Sequence, residues 1–240
     1  MNNDKIYNED CLEGMKGIAD GSIDMILCDL PYGTTRNKWD TVIPLDALWE
    51  QYRRVIKPNG AIVLTAQTPF DKTLGASNIS FLRYEWIWRK TRPTGHLNAK
   101  RMPMREHENI LVFYKNPPTY NPQGLVKLES PVLRKRTNNG TNYGKSDKDS
   151  YRKATGYPRD ILEFPSEGKT VHPTQKPVAL FEYLIKTYTN PDELVLDNCM
   201  GSGTTAIACM NTGHNFIGFE MDKGYYDIAC KRIEEAKEIK

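Results

Sequence analysis

Leu194-Val195-Leu196-Asp197-Asn198-Cys199-Met200-Gly201-Ser202-Gly203-Thr204-Thr205 reads as a buried strand, a glycine-rich turn and the start of a helix. Gly201 and Gly203 permit positive φ and let a ligand approach the backbone closely. Seventeen residues beyond Gly203 the next apolar run, Phe216–Phe219, ends at Glu220, whose carboxylate could accept hydrogen bonds from ribose hydroxyls. No Gly-Lys-Ser/Thr follows, so this is not a phosphate-binding P-loop, and the full Gly-x-Gly-x-x-Gly of dinucleotide sites is absent. The pattern describes a nucleoside pocket at the carboxyl ends of parallel strands; the alternative is a tight turn with no ligand.

Outward from this turn, strands and helices alternate at both ends of the chain. Lys5–Glu9, Ile23–Cys28, Ala61–Ala66, Leu82–Trp88, Ile110–Tyr114, Leu194–Leu196 and Phe216–Phe219 read as seven strands. Helices are expected over Cys11–Ile18, Leu45–Ile56, Val178–Tyr188, Thr204–Met210 and Tyr225–Lys237. Lys57-Pro58-Asn59-Gly60 is expected to stop the second helix and turn the chain. Such alternation argues an α/β fold with a mostly parallel seven-stranded sheet covered on both faces. From about Thr91 to Thr170 the periodicity fades, apart from Ile110–Tyr114. Three regions follow: 1–90, 91–170 and 171–240.

The 240 residues are 39% hydrophobic and 26% charged, enough for a core, and mean hydropathy is −0.61. No apolar run approaches the roughly 20 residues of a membrane span, and nothing at the N-terminus resembles a secretory signal, so a cytoplasmic protein is expected. The five cysteines have no metal-type spacing, so neither zinc nor a disulfide framework is expected. The net charge of +3 is uneven: residues 90–170 hold 16 Lys/Arg against 8 Asp/Glu, a net +8, and the remainder is net −5. A basic segment on an acidic body points to a polyanionic partner.

A second motif stands at the end of the apolar run Ile23–Cys28. Asp29-Leu30-Pro31-Tyr32 offers a carboxylate, a carbonyl and a flat ring, and Pro31 restricts Leu30 to extended geometry. Two acceptors beside an aromatic face suit a planar exocyclic amine. The plainer alternative is an Asp/Pro turn with a packed Tyr.

Asp29-Leu30-Pro31-Tyr32 resembles the Asp/Asn-Pro-Pro-Tyr motif of DNA amino methyltransferases, which form N6-methyladenine or N4-methylcytosine. Asp197–Thr205 is similar to their S-adenosylmethionine motif, and His172-Pro173-Thr174-Gln175-Lys176-Pro177 to the segment that precedes a helix beside the cofactor. The order of catalytic motif, basic region and cofactor motif matches the circularly permuted beta group. The resemblance covers roughly two-thirds of the chain. It departs at Leu30, where the family usually has Pro; the backbone carbonyl, the working group, is unaffected.

The resemblance implies a Rossmann-like S-adenosylmethionine-dependent methyltransferase fold with an inserted basic recognition region. The cofactor would be lined by Asp10, Cys11, Asp29, Asp197, Asn198, Cys199, Gly201, Ser202, Gly203, Thr204 and Glu220, with Lys176 near the methionine carboxylate or the pocket mouth. Asp10 could equally be a helix cap, and Lys176 a solvated lysine. Asp29, Leu30, Pro31 and Tyr32 would be catalytic, acting on an adenine flipped out of double-stranded DNA. Arg36, Lys38 and Trp39 follow the motif at once and could close over the DNA, though Trp39 could also belong to the core. Arg134, Lys135 and Arg136 would meet phosphates. Asp at the first motif position leans towards adenine N6. The alternatives are a cytosine-N4 enzyme, a protein glutamine methyltransferase and a DNA-binding module with a vestigial pocket. Neither the recognition sequence nor a restriction partner is legible. Many beta-group members are homodimers, but no self-complementary patch stands out.

Overall fold

A computed structural model describes residues 1, 3–35, 37, 40–135, 150–167 and 175–238. Contacts divide them into two units, Met1–Asn121 with Asp160–Lys240, and Pro122–Arg159.

The first unit is built on an eight-stranded sheet. In chain order its strands are β1 (Lys5–Tyr7), β2 (Ile23–Asp29), β3 (Ile56–Ala66), β4 (Leu82–Thr94), β5 (Arg105–Phe113), β8 (Ile161–Phe164), β9 (Leu194–Asp197) and β10 (Asn215–Phe219). Their spatial order is β1-β10-β9-β2-β3-β5-β4-β8. Only β5 runs against its neighbours; every other pairing is parallel. This is the expected mostly parallel sheet with one strand more than the seven expected. The extra strand, β8, is four residues of alternating burial inside the weakly patterned stretch, too short to register as a period.

Both faces of the sheet are covered, which is why the central strands read as continuous apolar runs. Along β2, Met25 and Leu27 face one core cluster with Leu180, Phe181 and Leu184 of α4 (Val178–Tyr188). Ile26 and Cys28 face the other, with Met15 of α1 (Cys11–Met15) and Leu48, Trp49 and Tyr52 of α2 (Leu45–Val55). Helix α3 (Phe70–Ser77), which the sequence reading lacked, adds Phe70 and Leu74 to that second face. Helices α5 (Thr204–Thr212) and α6 (Lys223–Glu238) complete the first. All five cysteines are free thiols.

Lys57-Pro58-Asn59-Gly60 does not turn the chain. It lies within β3, where the β2–β3 register jumps from Ile23↔Ile56 to Met25↔Ala61. The irregularity absorbs Pro58, and Gly60 admits the Asp24 carbonyl, which a Cβ there would meet at 2.8 Å.

The second unit contains an antiparallel pair, β6 (Val126–Arg134) and β7 (Ser150–Thr155), forming its own sheet. It is narrower than the 91–170 region marked by composition, because β4, β5 and β8 extend the main sheet into that region.

Candidate active site

The strand order reverses between β2 and β9, hydrogen-bonded neighbours at Met25↔Val195 and Ile26↔Leu196. Beyond the carboxyl ends of parallel strands, such a reversal opens a crevice where ligands bind. A cavity of about 650 Å³ lies there, reached by both sequence motifs. Its size is within the roughly 300–1,000 Å³ range of small-molecule sites.

The glycine turn forms one wall. Gly201 has φ of +53°, and a Cβ placed on it would meet nothing within 4 Å. Its N–H donates to Glu220 Oε2 at 2.8 Å, and Asp222 N–H donates to Oε1 at 2.7 Å. Burial pushes the Glu220 carboxyl above its usual range, partly opposed by these backbone donors. Gly203 has a different job and is absent from the cavity wall. With φ of +85° it starts α5, and a Cβ would press on Ala229 of α6 at 3.2 Å. Arg232 of α6 donates to the Ser202 carbonyl at 2.5 Å and to its hydroxyl at 3.1 Å.

Several expected cofactor residues serve the turn itself. Asp197, 3% exposed, accepts from Cys199 N–H at 3.0 Å and from the Thr205 hydroxyl. Burial raises its pKa to about 6 against those donors. Asn198 accepts from Tyr52 at 2.5 Å and, like Asp197, lines the cavity. Asp10 caps α1, accepting from Leu12 N–H at 2.9 Å and Glu13 N–H at 3.2 Å, and also lines the cavity with Cys11. Cys199, Ser202 and Thr204 line it too.

The same cavity is lined by Asp29, Leu30, Pro31 and Tyr32, at the end of the adjacent strand β2. Asp29 Oδ1 accepts from the Tyr32 hydroxyl at 2.6 Å and from the hydroxyl of Thr65 on β3. The Tyr32 ring lies on Phe70, centroids 5.3 Å apart and planes 25° from parallel. It is therefore not a platform free on both faces, and its hydroxyl orients the carboxylate.

Lys176 is not the solvated lysine of the alternative reading: 5% exposed, it lines the cavity and places Nζ 2.5 Å from Asp29 Oδ2 and 3.4 Å from Glu108 Oε2. Glu108 in turn pairs through Oε1 with Lys90 Nζ at 2.5 Å. Burial disfavours both charged forms, but the opposite charges win: Lys176 titrates above its ordinary value and Glu108 below. These residues reach one place because β5 is antiparallel. Its amino end, with Glu108, lies at the same edge of the sheet as the carboxyl ends of its neighbour β4, with Lys90, and of β2 beyond β3, with Asp29.

At the start of the loop after the motif, Asp40 accepts from the N–H groups of Gly33, Thr34 and Thr35 at 2.8, 2.9 and 2.6 Å. Arg36, Lys38, Trp39, Arg136 and His172–Thr174 lie outside the described residues. Arg134 and Lys135 are exposed in the second unit. Thr65, Lys90, Glu108 and Asp40 had no motif to announce them; their only signal was a polar residue where a strand or loop turns inward.

A crevice at the carboxyl ends of parallel strands, lined by both a glycine turn and Asp-Leu-Pro-Tyr, defines a Rossmann-like methyltransferase. The chain belongs to the N6/N4 DNA methylase family, whose model matches residues 23–231. It is 31% identical to the type II methyltransferase M.BglII of Bacillus subtilis, over 94% of this chain and 67% of that protein. It is 28% identical to M.HinfI of Haemophilus influenzae, over 97% and 68%. The solved M1.HpyAVI–SAM complex superimposes with a TM-score of 0.65 at 28% identity, covering 95% of this chain and 98% of that one. The PvuII cytosine-N4-specific DNA methyltransferase shares the fold, with a TM-score of 0.73 at 17% identity, covering 100% and 92%.

Proposed function

We propose that this DNA methylase transfers a methyl group from S-adenosylmethionine to the N6 amine of an adenine flipped out of duplex DNA. The observation that carries the reading is Asp29, an acceptor fixed by Tyr32 and Thr65 at the wall of a cavity that the glycine turn also lines.

The residues fit the cofactor. Open space at Gly201 accommodates a ligand against the backbone. Glu220 spends one lone pair of each oxygen on a backbone N–H, leaving the others for ribose hydroxyls. Asp10 and Cys11 border the same space. When bound, S-adenosylmethionine supplies an electrophilic methyl group on a sulfonium centre.

The protein's part is to hold the amine and its charge. Asp29 and the Leu30 carbonyl accept the amine hydrogens and favour a tetrahedral nitrogen as positive charge develops. Asp29 takes the released proton or passes it to water. Tyr32 keeps the acceptor in place through its hydroxyl, and its ring, with Phe70 stacked on it and Lys176 Nζ 5.6 Å from its centroid, borders the space for the base. Residues 1–90 form the catalytic half in this reading, and 171–240 the cofactor half. Residues 91–170 form the terminal strand and the recognition region, whose net +8 suits a phosphate backbone. The motif order supports the permuted beta-group arrangement.

Adenine is preferred to cytosine because Asp29 is a charged acceptor, the form the resemblance associates with N6 transfer. Nucleoside mass spectrometry of DNA treated with the enzyme and labelled cofactor tests this. Label in N6-methyladenine supports the reading; label in N4-methylcytosine alone refutes the adenine assignment, and label in protein with none in DNA overturns the reading.

A further inference from the structure

The charges behind Asp29 are unequally satisfied. Asp29 Oδ1 holds two hydroxyls, and Oδ2 holds the Lys176 ammonium at 2.5 Å. Glu108 gives Oε1 to Lys90, but its Oε2 is buried without a hydrogen bond, 3.4 Å from that same Lys176 nitrogen. Glu108 is only 7% exposed. A buried, ionised oxygen with no donor is costly. A small movement of Lys176 satisfies it, and that movement carries the ammonium away from Asp29.

We infer that Lys176 is a displaceable counter-ion: the incoming target amine replaces it on Asp29 Oδ2, and the ammonium passes to Glu108 Oε2. The inference rests on the reading of Asp29 as the acceptor of the amine. With Oδ1 filled, the amine must take or share Oδ2, since a carboxylate has about four acceptor sites. During transfer the amine nitrogen gains positive charge. An ammonium bonded to the same oxygen opposes that charge more strongly than one held farther off on Glu108. Before the base arrives, the same ammonium holds Asp29 Oδ2 in place. Lys90 holds Glu108 through its other oxygen, so the receiving group is stationary. Lys176 and Glu108 are thus positioning residues.

The four charges cancel, which supplies the test. Glu108→Gln leaves one positive charge in excess, and adding Lys176→Met restores neutrality. Single-turnover methylation is measured with saturating DNA and S-adenosylmethionine, on protein whose thermal transition and cofactor dissociation constant are determined separately. Glu108→Gln should slow transfer by about tenfold or more at unchanged cofactor affinity, because Lys176 is left with Asp29 alone. The double variant should recover several-fold of that rate. A folded Glu108→Gln protein with the wild-type rate, or a double variant as slow as Glu108→Gln, overturns the inference. So does recovery confined to the thermal transition, which is what charge balance alone produces. Should Glu108→Gln not fold, Lys90→Met/Glu108→Gln keeps the set neutral and carries the same expectation and refutation. Asp29→Asn is run in parallel. Full activity there removes the catalytic reading itself; an inactive Asp29→Asn beside an unimpaired Glu108→Gln removes only the hand-over.

Discussion

Asp29 and Lys176, 147 positions apart in sequence, form an ion pair of 2.5 Å at the wall of the cavity. The catalytic carboxylate proposed here is therefore anchored from β2, β3 and the segment before α4 at once. Asp29→Ala should abolish methyl transfer and leave S-adenosylmethionine binding within a few-fold of wild type, since the lost contact is made mainly in the transition state. Calorimetry beside a methylation assay separates the two effects, and parallel loss of both would contradict the assignment.

Tyr32→Phe keeps the ring but removes the hydroxyl that donates to Asp29 at 2.6 Å. A hydrogen bond to a charged group contributes about 1.5–3 kcal/mol. The transfer rate should fall by roughly tenfold or more, with little change in DNA affinity. A Tyr32→Phe rate equal to wild type would show that the hydroxyl does not orient the carboxylate.

Glu220 both closes the glycine turn and faces the cavity, so Glu220→Ala mixes two losses. Glu220→Gln keeps an acceptor for one backbone N–H and weakens the ribose contact. S-adenosylmethionine affinity should drop by about tenfold or more in either variant, and the thermal transition should fall further in Ala than in Gln. Unchanged affinity in a folded Gln variant would remove Glu220 from the cofactor site.

Asp197 binds its proton more tightly folded than unfolded, with a pKa of about 6 against the ordinary 3.8. The stability it contributes is present below the unfolded value and is lost as pH rises from about 4 to 6. Its ionisation then disfavours the fold by an amount of order 2–3 kcal/mol at neutral pH. Asp197→Asn should remove this component. Urea midpoints for the two proteins should converge near pH 4, and the Asn variant should gain relative to wild type towards pH 7. A difference independent of pH would rule the titration out.

Arg134 and Lys135 are exposed in the second unit. If each meets a phosphate, replacing both with Ala should reduce the slope of log affinity against log salt by about 1.8, without altering cofactor binding. An unchanged slope excludes them.

Apolar pattern and glycines announced most of the sheet. The periodicity that predicts a helix over Val178–Tyr188 matches α4 end to end. What escaped was polar. β4 continues six residues beyond Trp88 to Thr94, and β5 begins five residues before Ile110, at Arg105. These ends carry Lys90 and Glu108 into a cavity, where hydrophobic periodicity must break, so the residues that build the site made the strands look like loops. The motif residues Asp29, Tyr32, Gly201 and Glu220 were legible because the chemistry fixes their type and spacing. Lys176 was noticed for its motif, but its partners depend on a strand reversal that no local pattern encodes.

The pairing of β2 with β9 joins the first eighth of the chain to its last fifth. β9 occupies the middle of the sheet, between β2 and β10, and β1 pairs only with β10. During synthesis the earlier strands must wait for the C-terminal segment before the sheet can close. Closing so long a loop is entropically unfavourable and slow. The nascent chain thus exposes the unpaired edges of β1 and β2 until β9 and β10 have emerged. Methylation competence should arise in one late step, with no active fragment before it, and the waiting chain is the species most exposed to aggregation.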